Sequence, residues 1–529
     1  GALRGRDAGH PDRSILCSLG RPTKAAPVPP FTPRDRTVDE SRSSRLSADV
    51  CVVGAGPAGM TLGRELGRAG RSVVLVESGG EGRSTRAQQL NEGVQQGVPY
   101  RGLRDTRHRA VGGTPNIWNV EFGGRPGAKY VPLDAHDLTG WPLDPGELAP
   151  HYREAQRLCR LGPFDYGAER WTTAGRRPFE LSSTGLESGV YHFGPAARFT
   201  REIPDEIRGM ASVTLVPSTT VVEIDGSSSA RAVRGVRAVD ADGGELAVDA
   251  RRVVLACGAV ENARLLLRDG PGADADLEWL GRGFMEHARD FSLELVPPTP
   301  ELFREASFYD AFAPEEDTRV GGRLALTDEA RAALDLPNAA LTLIPRARGR
   351  RSLPERALRA AHGAVFGGRE GRYGWSRVPA PERAFDVFDL VVNLEQRPRF
   401  ENRVELAERR DRFGNRLPRL LLRWTEREQD GLERLRRRLA QWFRSAGLGK
   451  LRATPGRRPD LSAHHHAGTT RMAQSREQGV VDPSGRVYGT DHLYVAGASV
   501  FPTAGFANPT LTVVALSLRL ARHLEASLG

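Results

Sequence analysis

The sequence has 529 residues, of which 39% are hydrophobic and 27% charged, and its formal net charge is +10. This length allows two or three domains with a sizeable core, and the absence of any run of 18 apolar residues argues against a membrane-spanning helix. The positive excess lies in residues 1–46 and in the arginine-rich residues 346–384. Neither stretch has the basic stripe with interleaved aromatic residues that is typical of nucleic-acid binding. We therefore expect solvated loops and no nucleic-acid partner, with an acidic partner or a membrane surface as the alternative.

The four cysteines are scattered and show no C-x-x-C or Cys/His spacing. This pattern predicts neither a zinc site nor a disulfide framework. The arginine-rich N-terminal part lacks the apolar segment of a secretory signal. We therefore expect no metal and a cytoplasmic location.

In chain order, residues 1–46 are rich in Pro, Arg, Ser and Gly and predict a disordered extension. The next stretch, ADVCVVGAGPAGMTLGRELGRAGRSVVLVESGG, predicts a strand over 50–53 and a tight glycine turn. A helix over 58–69 follows, ending at Gly70, and then a second strand over 72–76. The continuous apolar run of the first strand is typical of a parallel strand buried on both faces.

Residues 80–135 are predicted to be rich in loops, and a helix is expected over 145–161. Strand patterns return at residue 213, with a hairpin around the turn at 242–244. The stretch RRVVLACGAVENARLLL then predicts a buried strand that runs into a helix.

Apolar and polar residues alternate over 290–345 and 385–425. This period of two predicts a large, mostly antiparallel sheet. Residues 427–447 (REQDGLERLRRRLAQWFRSAG) have the pattern of one amphipathic helix.

Gly54, Gly56 and Gly59 form a G-x-G-x-x-G motif between a predicted strand and helix, and Glu77 follows at the tip of the next strand. In this motif the first glycine makes the sharp turn, the second lets a pyrophosphate approach the backbone, and the third lets helix and strand pack closely. The helix N-terminus would bind the pyrophosphate and Glu77 the ribose hydroxyls. This context predicts dinucleotide binding, with a turn used only for packing as the alternative, and the motif by itself does not separate NAD from FAD.

Residues 464–512 contain the other dense chemical signal: three adjacent histidines, a β-like run (HLYVAGAS) and an Asn-Pro-Thr that opens a helix. In an extended segment neighbours point to opposite faces, so His465 is expected to face away from His464 and His466. Adjacent residues of one strand cannot converge on one ion, so a three-histidine metal site is not expected. We predict that this stretch and the glycine loop fold onto the same cofactor.

Five blocks carry a family resemblance: the dinucleotide unit at 48–77, RAVGGTPNIWN at 109–119, ACGAVENARLLL at 256–267 with GRGFMEH at 281–287, EQRPRFENRVEL at 395–406, and residues 464–524. Together they resemble the glucose–methanol–choline (GMC) family of FAD-dependent oxidoreductases, in particular its branch of pyranose oxidases and sugar or polyol dehydrogenases. The resemblance spans about residues 47–529 and is weakest over 288–390.

The resemblance implies an α/β protein, α+β overall. A Rossmann-like FAD-binding domain is assembled from discontinuous segments, and a substrate domain holds the large, mostly antiparallel sheet. The expected boundaries are the disordered extension 1–46, FAD-binding parts 47–135, 206–287 and 455–529, and substrate-domain parts 136–205 and 288–454.

The resemblance also places the catalytic base at His465, with His464 and His466 as alternatives, and its partner at Asn508. Some pyranose oxidases tether FAD through a histidine where this chain has Ile117, so we expect non-covalent FAD. The remaining FAD contacts implied by the family pattern are Gly54, Gly56, Pro57, Ala58, Gly59, Glu77, Ser78, Gly112, Gly113, Thr114, Asn116, Trp118, Asn119, Val222, Cys257, Gly497, Ala498, Asn508, Pro509 and Thr510.

Other polar residues near these blocks are given supporting roles. His287 is expected to be structural, with a distal active-site role as the alternative. Glu261 and Arg264 are expected to hold a turn of the FAD-binding domain. Asn119 is expected near the reactive nitrogen of the flavin, which leaves the reactivity with oxygen open.

Alcohol oxidation requires a base for the hydroxyl proton and an acceptor for hydride, which a neutral histidine and FAD would supply. We therefore expect FAD-dependent oxidation of an alcohol group on a sugar, a glycoside or an aminoglycoside-like polyol, with O2 or a quinone or protein as electron acceptor. The alternatives are a non-redox, lyase-type flavoprotein and an inactive binding protein that docks a partner through residues 346–384. The sequence makes no prediction of oligomeric state.

Overall fold

The computed structural model describes residues 43–118, 120–122, 125–226, 233–269, 277–347, 374–378 and 380–529. The first strand begins at Ser43, and Ser43–Leu46 pair in parallel with Glu245–Val248. The predicted boundary of the disordered extension is therefore wrong by four residues, because a partner strand of equal length extends the pairing beyond the apolar run. Most of the extension, residues 1–42, lies outside the described residues.

The strands in chain order are β1 (Ser43–Val53), β2 (Val73–Val76), β3 (Val94–Gly97), β4 (Val120–Phe122), β5 (Arg125–Tyr130), β6 (Leu186–Pro195), β7 (Val213–Val216), β8 (Thr219–Asp225), β9 (Gly235–Asp240), β10 (Glu245–Leu255), β11 (Ala288–Val296), β12 (Ala311–Glu315), β13 (Thr318–Leu326), β14 (Ala339–Arg346), β15 (Val387–Leu394), β16 (Arg403–Arg410), β17 (Arg416–Leu422), β18 (Lys450–Ala453) and β19 (Leu493–Val495). The helices are α1 (Pro57–Arg68), α2 (Thr85–Gln89), α3 (Pro145–Leu158), α4 (Ala168–Trp171), α5 (Ile203–Arg208), α6 (Gly258–Asp269), α7 (Leu302–Glu305), α8 (Asp328–Leu334), α9 (Pro381–Ala384), α10 (Glu426–Ser445) and α11 (Thr510–Leu528).

The first sheet has the order β7-β2-β1-β10-β9-β8, with β19 also paired to β10. β1 pairs in parallel with β2 and β10, and β10 pairs in parallel with β19. Residues 50–53 of β1 are buried, as expected for a strand covered on both faces. The sheet thus joins three stretches that are far apart in the sequence, 43–76, 213–255 and 493–495.

The second sheet is the large antiparallel one, in the order β18-β11-β15-β14-β13-β6-β5-β4 with β12 beside β13. One of its faces, which includes Leu324, Leu341 and Val392, packs on the apolar side of α10. Thr425 and Glu428 form a capping box that fixes the start of this helix. The predicted fold class, mixed α/β with a large antiparallel sheet, is confirmed.

A smaller third sheet, β16-β17-β3, uses a strand from the stretch predicted to be loops. Residues 80–135 also contain α2, β4 and β5. The stretch therefore holds more secondary structure than the predicted loops. Polar residues dominate β3, and only its pairing with β17 makes it a strand. α3 ends at Leu158, three residues before its predicted end, because Arg160 and Gly162 adopt positive φ values of 54° and 79°.

No helix among the described residues is both long and apolar enough to cross a membrane. Most of the arginine-rich segment 346–384 lies outside the described residues. The predicted role of that segment therefore stays a prediction.

Candidate active site

The glycine loop between β1 and α1 combines two packed glycines with one open position. A Cβ at Gly54, whose φ is +102°, would lie 2.7 Å from the carbonyl oxygen of Ala256. A Cβ at Gly59 would lie 1.8 Å from the carbonyl oxygen of Gly54, whereas one at Gly56 would meet nothing within 4 Å. The protein's own packing therefore requires the first and third glycines, and the second leaves space for a ligand.

Glu77 is buried at the end of β2 and holds this loop in place. One carboxylate oxygen accepts a hydrogen bond from the N–H of Ala55 at 2.8 Å, and the other accepts one from the N–H of Gly79 at 2.7 Å. Burial raises the pKa of Glu77, although these two N–H groups oppose the shift. Each oxygen keeps a lone pair that a ribose hydroxyl could use.

Two helix N-termini meet beside the loop. α1 and α11 both begin without a side-chain cap and without an acidic residue in the first turn. Unpaired N–H groups and the positive end of the helix dipole favour a bound phosphate at such positions. The loop and both helix starts therefore fit the pyrophosphate of a dinucleotide.

A cavity of about 1470 Å³, including its opening to solvent, extends along these elements. The cavity passes the glycine loop, the end of β2 and both helix starts, so its lining fits an extended dinucleotide such as FAD. The predicted FAD contacts that line it are Gly54, Gly56, Pro57, Ala58, Glu77, Ser78, Gly113, Thr114, Cys257, Gly497, Ala498, Pro509 and Thr510.

Other predicted contacts lie behind the cavity wall. Gly59 and Gly112 pack against backbone, and the Asn116 amide donates hydrogen bonds to the carbonyls of Val111 and Gly113. Trp118 packs edge-on against two aromatic rings within the core. Val222 does not line the cavity, although the preceding residues Thr219, Thr220 and Val221 do. Asn119 lies outside the described residues.

A buried charged cluster also lines the cavity, and its arginines from the 104–109 loop were missed by the sequence analysis. Arg107, Arg109 and Arg264 all form ion pairs with Glu261, and Arg264 also pairs with Asp411 at 2.6 Å. Burial acts to raise the pKa of Glu261, but the three arginines overcome it and the pKa is lowered. Glu261 and Arg264 therefore line the cavity as parts of a cluster whose three arginines and two acidic residues leave one excess positive charge.

The histidine triplet is organised by Glu286, which the sequence analysis did not single out. The Glu286 carboxylate accepts hydrogen bonds from the backbone N–H groups of His464, His465 and His287 at 3.0, 2.7 and 3.0 Å. Burial raises its pKa to about 7. The triplet was expected to be an extended segment. It is not one, because His464 adopts a φ of 68°. The only sequence signal for Glu286 was its position in the GRGFMEH block.

His465 is paired with His287. Their Nδ1 atoms lie 2.8 Å apart and their rings are nearly perpendicular, at 77°. Burial, together with the neighbouring His287 and Arg289, lowers the pKa of His465 well below 6.5. Burial also lowers the pKa of His287 to about 4, although the adjacent backbone of Ala504 and Gly505 opposes this. Both rings are therefore neutral near pH 7.

The two flanking histidines lie on the cavity side, and His465 does not line the cavity. The Nε2 atom of His466 is hydrogen-bonded to the hydroxyl of Tyr100, which donates to Glu286 at 2.9 Å. Nε2 of His465 has no hydrogen bond to any described residue, and the same holds for the buried Nε2 of His464. A histidine that acts as a general base needs one ring nitrogen held by a hydrogen bond and the other available to accept a proton. His465 meets this requirement.

Asn508, the predicted partner of His465, is half-buried and lies three residues after Gly505. His287 packs between His465 and the turn at 504–505. The structure thus brings the two predicted catalytic segments together through His287. Among the described residues, the Asn508 side chain makes no hydrogen bond.

Comparisons with known proteins agree with this architecture. Residues 398–517 match the family model "GMC oxidoreductase" and residues 47–115 match "FAD binding domain". The chain is 25% identical to 6'''-hydroxyparomomycin C oxidase of Streptomyces lividus over 96% of both chains. It is 35% identical to C-glycoside 3-oxidase of Arthrobacter globiformis over 26% of this chain and 25% of that protein.

A solved structure shares the fold. Pyridoxine 4-oxidase from Mesorbium loti superimposes with a TM-score of 0.57 at 16% sequence identity, covering 90% of this chain and 98% of that one. The two family matches lie at the glycine loop and at the histidine segment, the two sequence regions that border the cavity. The chain therefore resembles the GMC oxidoreductases at both regions of the site, and it is an FAD-dependent oxidoreductase that acts on CH–OH groups.

Proposed function

We propose that this enzyme oxidises a hydroxyl group of a sugar, a glycoside or an aminoglycoside-like polyol, with His465 as the base. The single observation that carries the assignment is the pairing of His465 Nδ1 with His287 Nδ1 at 2.8 Å, while Nε2 of His465 has no hydrogen bond to any described residue. Relatives that oxidise sugar-like compounds by name support the substrate class.

The tautomers of the two histidines follow from this pairing. For Nε2 of His465 to accept a proton, the ring must carry its hydrogen on Nδ1 and donate it to Nδ1 of His287. Burial keeps His287 neutral, since its pKa is about 4, so that Nδ1 can accept. A neutral His465 then removes the hydroxyl proton as a general base.

Bound FAD, held non-covalently, supplies the acceptor for the hydride. The chain's own residues hold the substrate and move the proton. The amide of Asn508 donates a hydrogen bond to the substrate oxygen and stabilises the developing alkoxide. The buried surroundings strengthen both interactions, because the effective dielectric constant is low there.

The base assignment is tested with His465→Asn, which keeps a polar side chain but removes the base. We expect the variant to retain yellow FAD and to reduce it at least ~10²-fold more slowly, the scale of general-base loss. Stopped-flow absorbance under anaerobic conditions measures this rate. The matched control is His523→Asn, which changes a histidine on α11. If His465→Asn reduces its flavin at the wild-type rate, His465 is not the base.

The substrate class is tested by anaerobic flavin bleaching with sugars, glycosides, amino sugars and simple alcohols. We expect bleaching by a polyol or glycoside at lower concentration than by simple alcohols. Re-oxidation by air or by a quinone then identifies the acceptor. Bleaching by none of these alcohols would contradict the proposed function.

A further inference from the structure

The large antiparallel sheet has one polar face, and that face is turned toward the C-terminal segment. Strand pairing places Lys129 opposite Phe193, Arg323 opposite Gly189, and Gly321 opposite Tyr191. Side chains alternate along each strand, so Lys129, Tyr191 and Arg323 share one face. Thr342 of β14 lies there too, since Nζ of Lys129 is 3.3 Å from its hydroxyl.

The two faces of the sheet belong to different parts of the core. Leu324 and Leu341 pack with α10, whereas their neighbours Ala325 and Ala340 pack with the core of the first sheet. Arg323 contacts Phe506, at 5.0 Å from its ring centre. Because Phe506 is two residues before Asn508, the polar face borders the predicted catalytic segment.

Two positive charges on this face have no acidic partner among the described residues. Nζ of Lys129 lies 4.9 Å from the ring centre of Tyr191, and the guanidinium of Arg323 lies over the rings of Tyr191 and Phe506. Nε and Nη1 of Arg323 are buried without a hydrogen-bond partner among the described residues, whereas the hydroxyl of Tyr191 lies beside the side chains of Asn393 and Thr342. Tyr191 itself is only 3% exposed.

Other charged groups on the same face are already engaged. Arg289 pairs with Asp460 at 2.8 Å. The carboxylate of Glu395 accepts hydrogen bonds from the backbone N–H groups of Ala504, Gly505 and Asn338. Burial lowers the pKa of Lys129 to about 8, as expected for a cation without a counter-ion.

Buried polar groups without partners are costly and are normally satisfied by a ligand, an ion or water. We propose that Arg323, Lys129 and Tyr191 bind an anionic group of the substrate, so that the preferred substrate is an acidic sugar or glycoside carrying a carboxylate or phosphate. This inference rests on the proposed function and narrows its substrate class. It disfavours polycationic amino sugars, because these would place positive charge against Arg323 and Lys129.

The experiment measures binding without turnover. Holoenzyme with its FAD reduced by dithionite is titrated under argon by calorimetry with methyl glucuronide, glucose 6-phosphate, methyl glucoside and methyl glucosaminide. We expect at least one anionic sugar to bind about tenfold or more tightly than the neutral one, the scale of a charged hydrogen bond. A comparison of methyl glucuronide with glucose 6-phosphate shows whether the site prefers a carboxylate or a phosphate.

Variants locate the site. Arg323→Gln and Lys129→Gln should each reduce the anionic-to-neutral affinity ratio about tenfold. Arg346→Gln removes an exposed arginine of the same sheet, paired with Glu294 and Asp389, and should keep the wild-type ratio. If either site variant fails to fold, the affinity ratio of the other variant and that of the wild type still test the anion site.

Equal binding of all four sugars, tighter binding of the neutral or cationic sugar, or binding of none would overturn the anion site. These outcomes are distinct from failure of the proposed function. Anaerobic bleaching by a neutral glycoside would leave alcohol oxidation standing even if the anionic preference is absent.

Discussion

A single buried carboxyl group, Glu286, holds the histidine triplet next to His287. It binds the N–H groups of His464 and His465 and that of His287, and so fixes three ring positions from two distant segments. Desolvation then keeps the His465–His287 pair neutral. We infer that His287 acts as a positioning residue that selects the tautomer of the base.

His287→Asn tests this role through the pH dependence of flavin reduction. His287 is the largest electrostatic contribution, after burial, to the lowered pKa of His465. Removal of His287 should raise the pKa of His465. Because only the neutral base is active, the rate of flavin reduction should then fall at a higher pH than in the wild type as the solution is acidified. The rate at the plateau should fall about 10- to 100-fold from misorientation of the base. Stopped-flow measurements compare the variant with His523→Asn. If the loss of the flavin reduction rate at low pH occurs at the same pH as in the wild type, His287 is not a positioning residue.

At the scale of elements, the turn between β1 and α1 separates packing from ligand binding. Gly59 brings the helix against the loop, where a Cβ would lie 1.8 Å from a carbonyl oxygen. Gly56 faces the cavity and has an ordinary φ of −79°. The same motif therefore contains two glycines that the protein's own packing requires, Gly54 and Gly59, and one open position at Gly56.

Alanine at each position distinguishes the two roles. Gly59→Ala should lower the melting temperature of the apoprotein, since overpacking costs about 1–3 kcal/mol or more. Gly56→Ala should leave the apoprotein's melting temperature unchanged and weaken FAD binding in a fluorescence titration. Loss of apoprotein stability in Gly56→Ala, or normal FAD affinity, would show that the open space is not the cofactor site.

Over the whole molecule, a buried acidic network joins parts of the chain that are hundreds of residues apart. Asn338, at the start of β14, donates to Asp137 at 2.9 Å, and Glu395, after β15, accepts from the 504–505 turn. Burial, reinforced by Asp134 and Glu395, raises the pKa of Asp137 to about 7. The network thus links the large sheet to the segment that leads to Asn508.

The raised pKa predicts a pH-dependent stability. Because the folded-state pKa of Asp137 exceeds its usual value of 3.8, its contribution is present below about pH 4 and is lost as the pH rises toward 7. The melting temperature of Asp137→Asn should therefore rise relative to wild type between pH 4 and pH 8. Asp242→Asn, in an exposed turn, should parallel wild type. A constant difference for Asp137→Asn would mean that Asp137 is not protonated in the folded protein.

The sequence by itself determined the dinucleotide unit, the large antiparallel sheet and the triplet that contains His465. These features depend on local signals: glycine spacing, a period of two and a short polar motif. It misplaced the first strand's start and missed β3, because their order comes from partner strands rather than from their own residues. Val222 does not line the cavity, whereas Thr219, Thr220 and Val221 do, and the sequence contains no signal that separates these neighbours.

Only the tertiary structure decided how the site is held. Glu286 and His287 meet the triplet from 178 residues away, and Arg107 meets Glu261 from 154 residues away. Such contacts depend on strand order and packing, which single-sequence patterns do not encode. The neutrality of the histidine pair arises in the same way, and so does the lack of an acidic partner for Lys129 and Arg323 among the described residues, because burial exists only once the chain has folded.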